Sequence, residues 1–255
     1  WLNKKHKVIG TYRTDSSATE QLRALGATLI KVDFDSAADR LAFKNYLVDS
    51  KVKWDNIVFA SGDQSPVGLF PELDIIDWIR SFNANFTANI ELFHYSYPQR
   101  NSNAHNLPFV LFFAGGGTNN AVSHYSAYTS AKIALIKMVE LLDAEIPDAR
   151  FTIIGPGWVK TKSHLPTVNL GPNLGPKFAG GNYDKTLQKL SSNECTPMER
   201  VIDSVNWAAS QPREVIGGRN FSTVFDRWEE PELQLALRMD ENMYKLRRSG
   251  NSWKP

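Results

Sequence analysis

Phe109-Val110-Leu111-Phe112-Phe113 runs straight into Ala114-Gly115-Gly116-Gly117-Thr118. A short unbroken apolar run reads as a buried strand, and the glycines break it. The next periodic stretch, Tyr128-Thr129-Ser130-Ala131-Lys132 followed by Ile133 to Leu142, reads as a long helix. Outward from this pair the same alternation repeats. Strands are expected at Val8 to Tyr12, Thr28 to Val32, Asn56 to Ala60, Phe151 to Ile154 and Arg219 to Val224. Helices are expected at Ser16 to Leu25, Ala37 to Val48, Asp74 to Tyr97 as one long helix, and Pro231 to Arg248. Such alternation argues for α/β: a doubly wound parallel sheet covered on both faces, in three layers.

The bulk numbers narrow the function. A chain of 255 residues is enough for one large domain with a substantial core. Its 29 basic and 27 acidic residues leave a net charge of +2, which gives no argument for nucleic acid or an anionic membrane. No apolar run approaches the roughly 20 residues that span a bilayer. A single cysteine, Cys195, excludes an internal disulfide and suits a reducing cytoplasm. His6, His94, His105, His124 and His164 are too scattered for a metal site, so no metal is expected. Residues 162–195 lose all periodicity, with Asn169-Leu170-Gly171-Pro172 echoed by Asn173-Leu174-Gly175-Pro176, and then Ala179-Gly180-Gly181. A loop this long inside a domain is usually functional or disordered. Thr196 then reads as an N-cap, with Pro197 at N1 and Glu199 completing a capping box.

The chemistry-bearing residues fall at strand ends, where ligands bind in doubly wound sheets. Arg13 follows the first strand and Asp33-Phe34 the second. Ala60-Ser61-Gly62 follows the third, Ala114 to Gly117 the fourth, and Pro156-Gly157-Trp158-Val159-Lys160-Thr161 the fifth. Tyr128 and Lys132 stand one helical turn apart on one face. A tyrosine acidic enough for proton transfer near neutral pH needs its pKa lowered by about three units, or roughly 4 kcal/mol. A unit charge about 6 Å away, at an effective dielectric of about 20, supplies roughly 2.8 kcal/mol. Lys132 accounts for most of the shift, and a second positive charge would complete it.

In order and spacing the chain resembles the short-chain dehydrogenase/reductase family. The resemblance runs from Val8 to about Arg227. It rests on Tyr128 and Lys132, on Asp77-Trp78 with Asn83-Ala84-Asn85, on Ala60-Ser61-Gly62, and on Pro156-Gly157 with Thr161. It implies a single Rossmann-fold domain over residues 1–255, with 162–195 as its substrate-binding loop. It implies an oxidoreductase that moves a hydride between a nicotinamide cofactor and a carbonyl or alcohol. Tyr128 would be the general acid or base, and Lys132 would lower its pKa and hold the nicotinamide ribose. The oxidised nicotinamide would be the second positive charge, and Asn85 would support a water linked to the lysine. Ala60, Ser61 and Gly62 would lie along the cofactor, Asp33 and Phe34 would meet the adenine, and Pro156, Gly157, Val159 and Thr161 would cover the nicotinamide side. NAD enzymes of this fold usually carry an acidic residue where Tyr12 and Arg13 stand here. A guanidinium instead fits a 2′-phosphate, so NADP is expected, with NAD possible.

Two departures from the family pattern stand out. The family's substrate-binding serine falls, by the usual count back from Tyr128, on Gly115, which has no hydroxyl. Thr118 on the same loop is the expected replacement, unless the substrate brings its own polar group. Ser123 is expected at the start of the Tyr128 helix, and Tyr125 in the substrate pocket. The glycine-rich fingerprint of a first strand is also missing. Trp1 to Lys7 reads as the end of a helix, so about 15 to 25 further residues are expected upstream. Lys160, Lys162, His164 and Lys177 around the pocket hint at a polar or anionic small-molecule substrate. The alternatives are a dehydratase or epimerase acting on a nucleotide sugar, and a non-catalytic NADP(H)-binding homologue. The helices at 74–97 and 126–145 are apolar on more than one face, and the family pairs them across a dimer. A homodimer or homotetramer is therefore expected.

Overall fold

The computed structural model describes residues 1–102, 106–171, 182–192 and 194–248. After a 3-10 turn at Leu2–Lys4, the chain runs β1 (Ile9–Tyr12), α1 (Ser17–Ala24), β2 (Thr28–Lys31), α2 (Ala37–Ser50), β3 (Asn56–Phe59), α3 (Ile75–Phe82), a π-helical turn (Asn83–Thr87) and α4 (Ala88–Ser96). It continues through β4 (Phe109–Phe113), α5 (Ser126–Glu145), β5 (Arg150–Gly155), α6 (Leu165–Leu170), α7 (Asn182–Ser191), α8 (Met198–Ser210), α9 (Arg213–Ile216), β6 (Arg219–Ser222) and α10 (Pro231–Met239). Helix lies between every consecutive pair of strands, and every strand pairing is parallel. This is the expected α/β class, a parallel sheet with flanking helices.

The chain divides into two compact units: residues 1–53 with 87–100, and residues 54–86 with those from 101 onward. The described strands form two hydrogen-bonded sheets, β1-β2 in the first unit and β3-β4-β5-β6 in the second. In the first unit, Ser16 and Thr19 cap α1 reciprocally, each side chain accepting from the other's backbone N–H. Gly26, at a φ of 94°, then turns the chain into β2.

In the second unit, β4 lies between β3 and β5 and is buried as its composition demands. Phe109, Val110, Leu111 and Phe112 are all 0 % exposed. Phe112 stacks on Phe59 of β3 at 4.7 Å between ring centroids. Below β6, Phe221, Trp228, Leu237 and Ile216 close the core. Two buried arginines at the amino ends of strands hold this half together through backbone carbonyls. Arg150 donates to Leu107 O and Ala209 O, both at 3.0 Å, and also to Gln211 O. Arg219 donates to Leu237 O at 2.6 Å, Asp240 O at 3.0 Å and Met243 O at 3.1 Å.

Four local expectations are corrected. The helix expected over Asp74 to Tyr97 is interrupted by the π turn, where the Asn85 side chain is drawn to Asp63 and Ser81. Residues 162–195 are not one irregular loop: Leu165–Leu170 and Asn182–Ser191 are helical. The second Asn-Leu-Gly-Pro copy, the Ala179-Gly180-Gly181 run and Lys177 fall outside the described residues. Thr196 does not cap α8, which starts at Met198 after Pro197 with no side-chain cap. The backbone N–H of Thr196 instead donates to Trp158 O at 2.6 Å. The tail helix ends at Met239, because Arg219 takes the carbonyls of its last turn and the turn beyond. No helix among the described residues is long and apolar enough to cross a membrane.

Candidate active site

α5 turns an apolar stripe inward, with Ala127, Ala131, Leu135 and Val139 buried, and Lys132 lies on it. Its ammonium is carried below the surface with its stem, leaving Lys132 only 3 % exposed. Nζ donates to Ser61 O, at the end of β3, over a long 3.5 Å, and sits 5.7 Å from the centroid of the Tyr128 ring. Asn85, 0 % exposed in the π turn, faces the same loop. Its Oδ1 accepts from Asp63 N at 3.0 Å, while Nδ2 donates to Asp63 O at 2.8 Å and Ser81 O at 2.9 Å. Gly62 is caught between these groups: a Cβ there would lie 3.3 Å from Asn85 Oδ1 and 3.4 Å from Lys132 Nζ. A π turn inside an α-helix is rare and recurs at functional sites.

Burial governs both titratable groups. It pulls Lys132 down to about 8, because an ammonium away from water, with no acidic partner among the described residues, disfavours its charge. It pushes the Tyr128 phenol up to about 12, for the same reason with opposite sign. The expected lowering of Tyr128 by Lys132 is therefore not what these side chains produce alone. The ammonium stands 5.7 Å from the ring centroid, and burial of the phenol is the cause of its upward shift.

Gly115 explains the absent hydroxyl. A Cβ at Gly115 would lie 2.7 Å from Tyr128 Cε1, 3.0 Å from Cζ and 3.0 Å from Lys132 Cγ. The Tyr128 ring packs where a serine side chain would begin. The sequence reading identified the missing hydroxyl but missed this packing; the only sequence signal was a glycine at that count from Tyr128. Thr118 is half-buried on the same loop and makes no hydrogen bond to Tyr128 or Lys132 among the described residues. Ser123 is exposed. Ser126 uses its hydroxyl to accept from Trp78 Nε1 at 2.9 Å.

The loop after β5 carries the other residues expected at the site. Gly157 has a φ of 74°, and its Cβ would meet the Thr196 hydroxyl and, at 2.5 Å, Val224 Cγ2. Trp158 stacks on His164 at 4.7 Å and 7°, while the His164 ring bonds Val159 O at 3.0 Å. Burial lowers the His164 pKa, opposed by that carbonyl. Thr161 and Ser163 share a 2.7 Å hydroxyl bond. A cavity of about 420 Å³ opens between Val159, Lys160, Cys195, Thr196, Pro197 and Met198. Tyr125, expected in the pocket, is buried with its hydroxyl bonded to Thr167 of α6 at 2.7 Å. The second unit thus brings together Tyr128, Lys132, Asn85, Ser61 and Gly62, with Ala60 exposed beside them and Pro156, Gly157, Val159 and Thr161 on the β5 loop.

In the first unit, Arg13 is exposed at the end of β1 and makes no ion pair among the described residues. Arg23 lies 4.9 Å from the centroid of the Tyr12 ring and pairs with Asp15 at 3.0 Å. Asp33 and Phe34 are half-buried between β2 and α2.

Residues 2–168 match the short chain dehydrogenase family. An uncharacterised oxidoreductase of Saccharomyces cerevisiae, YIR035C, is 25% identical over 194 residues, spanning 75% of this chain and 74% of its own. The crystal structure of YIR035C, a short chain dehydrogenase/reductase, superposes with a TM-score of 0.73 at 20% identity, covering 91% of this chain and 90% of that one. A short chain dehydrogenase of Shigella flexneri complexed with NADP superposes with a TM-score of 0.66 at 16% identity, covering 85% and 86%. At these identities the structures establish likeness of fold.

Proposed function

Because the chain belongs to the short chain dehydrogenase family, and so to the NAD(P)-dependent oxidoreductases in general, we propose that it reduces a small carbonyl compound with NADPH, using Tyr128 as general acid. The observation that carries this reading is the buried Lys132 ammonium. It has three N–H donors, one long bond to Ser61 O and no acidic partner among the described residues. A buried ammonium wants acceptors, and the ribose hydroxyls of a nicotinamide nucleotide would be such acceptors. The cofactor therefore fits the residues present. Lys132 would hold the ribose beside Ala60, Ser61 and Gly62. Pro156, Gly157, Val159 and Thr161 would flank the nicotinamide. Asp33 and Phe34 would take the adenine, and exposed Arg13 a 2′-phosphate, which favours NADP over NAD.

A bound nicotinamide supplies the hydride. Tyr128, pushed up to about 12 by burial, keeps its proton at neutral pH. The positive charge that would develop on a bound nicotinamide as the hydride leaves would bring it toward the range in which it could pass that proton to a carbonyl oxygen. Asn85 fixes the backbone at Asp63, and with it the turn carrying Ser61 and Gly62 against Lys132. Thr118 makes no bond to Tyr128, so we place the carbonyl on Tyr128 alone, with a polar or anionic group of the substrate reaching Lys160 at the 420 Å³ cavity. We also infer a homodimer or homotetramer. α3 leaves Ile75, Ile76 and Ile79 52 %, 68 % and 46 % exposed, more apolar surface than an isolated helix face usually shows water. A reducing cytoplasm is the setting we infer from the single cysteine.

The test is NADPH oxidation against a panel of aldehydes, ketones and oxo acids. Turnover should fall about 10²- to 10⁴-fold in Tyr128→Phe. Unchanged turnover in that variant removes Tyr128 from the mechanism. NADPH binding without oxidation by any substrate favours the second reading, a non-catalytic NADP(H)-binding homologue, which the hydroxyl-free Gly115 also favours.

A further inference from the structure

The loop between β2 and α2 is held far more firmly than a surface connection requires. Asp39 Oδ2 accepts from Asp33 N at 2.9 Å, and its Oδ1 accepts from the Ser36 hydroxyl at 3.0 Å. Asp35 N donates to Asp33 Oδ1 at 3.0 Å, and Ser36 N to Asp33 O at 3.0 Å. These bonds fix the peptide groups on both sides of Asp33 and leave its Oδ2 outside the set. One further tether comes from α2. Arg40 donates to Phe34 O, so the peptide after Phe34 is fixed as well.

Arg40 is itself held from α4. Its Nε donates to Glu91 Oε2 at 2.7 Å, and Tyr95 OH donates to Glu91 Oε1 at 2.9 Å. The two charged side chains are 15% and 25% exposed. Tyr95, Glu91, Arg40 and the Phe34 carbonyl thus form one continuous chain of bonds within the first unit. Glu91 balances the charge of Arg40, so the guanidinium acts here as a fork for a carbonyl and a carboxylate. That arrangement does not aim a net charge at a phosphate.

We propose that Arg40 is a positioning residue for the adenine end of the nicotinamide nucleotide, acting through the Asp33–Phe34 backbone that it and Asp39 hold in place. The proposal rests on the cofactor reading above. It makes a distinction which that reading does not. Arg13 would act on the 2′-phosphate, which NADPH has and NADH lacks. Arg40 acts on a loop facing the part the two nucleotides share. Its loss must weaken both by the same factor.

The test is fluorescence titration of NADPH and NADH with the full chain, with steady-state kinetics in parallel. In Arg40→Ala both dissociation constants should rise about tenfold, the worth of one charge-assisted hydrogen bond, and kcat should stay within about twofold. Arg40→Lys should recover part of the loss, since an ammonium still reaches one acceptor. Arg13→Ala should weaken NADPH alone. Asp39→Asn tests the same loop through Asp33 N if Arg40→Ala melts too low to titrate, and should weaken both nucleotides equally. Unchanged affinities, or a loss confined to NADPH, overturn the proposal. If the unmodified chain binds neither nucleotide, the cofactor reading falls and this one with it. If it binds and Arg40→Ala and Asp39→Asn bind equally well, only this one falls.

Discussion

The backbone of Gly115 lies so close to the Tyr128 ring that a single added methyl carbon would stand 2.7 Å from Cε1 and 3.0 Å from Cζ. Carbon atoms pack best at about 3.5–4.0 Å, so any side chain at this position must displace the phenol. Gly115→Ala and Gly115→Ser should therefore both lower kcat/KM for carbonyl reduction, by about 10²-fold if the ring shifts by about an ångström. Serine should do no better than alanine, despite restoring a hydroxyl. Parallel melting curves separate displacement from unfolding. A Gly115→Ser enzyme more active than the unmodified one would show that the ring yields easily.

Lys132 should cost the protein stability while serving its chemistry. Burial lowers its pKa from 10.5 to about 8, and each unit corresponds to about 1.4 kcal/mol. The charged form thus weighs on the fold by about 3 kcal/mol at neutral pH. Between about pH 8 and about pH 10.5 the folded state has released this proton while the unfolded chain keeps it, so this group's contribution to stability rises with pH across that window. Lys132→Met keeps the stem and removes the charge. It should melt higher than the unmodified chain near neutral pH, lose that advantage as the pH approaches 10.5, and turn over little or no substrate. A lower melting point at neutral pH would mean the ammonium gains more from Ser61 than it loses by burial.

The legible parts of this chain were local. The apolar run of β4 and the one-turn spacing of Tyr128 and Lys132 follow from periodicity alone, and the structure builds both elements as read. The failures arose where a distant partner decides the backbone. Residues 75–93 keep helical spacing throughout, yet the helix is broken at Asn83–Thr87. There Asn85 bonds Asp63, a residue 22 positions away. α6 lies in a stretch with no amphipathic period, and its Thr167 is tied to Tyr125. α8 starts late because Thr196 is engaged by Trp158, which no capping pattern can reveal. At the candidate site, the juxtaposition of Tyr128 and Lys132 was legible from their spacing and their desolvation was not. Whether Lys132 lowers the Tyr128 pKa depends on how dry the ring is, and that is a property of packing.

The Tyr125–Thr167 bond should behave as a coupled pair. Both groups are buried, and each is the other's hydrogen-bond partner at 2.7 Å. Removing one hydroxyl strands the other, at a cost of about 1–3 kcal/mol, whereas removing both is closer to neutral. Tyr125→Phe and Thr167→Val should each lower the melting temperature, and the double variant should fall less than their sum. A coupling energy of about 1 kcal/mol in the double-mutant cycle is expected. The bond ties α6, which His164 joins to Trp158 and to the cavity-lining Val159, to the residue before α5. Both single variants should therefore raise KM for the carbonyl substrate more than they lower kcat. Strict additivity would mean that the hydroxyls find other partners.

Arg219 should matter to the fold and not to the chemistry. It is 3 % exposed at the amino end of β6, where it satisfies carbonyls of Leu237, Asp240 and Met243. In Arg219→Met these oxygens lose their charged donor while the apolar stem is kept, so the loss should be about 3 kcal/mol or more. Amide hydrogen exchange should quicken first in residues 237–243, whose turns the guanidinium ties to the strand. Since the proposed catalytic pair lies on α5 and ligands of doubly wound sheets bind at the carboxyl ends of the strands, activity per folded molecule should hold. A variant that melts normally would mean water replaces the guanidinium at those carbonyls. One that folds normally but loses turnover would place the amino end of β6 in communication with the site.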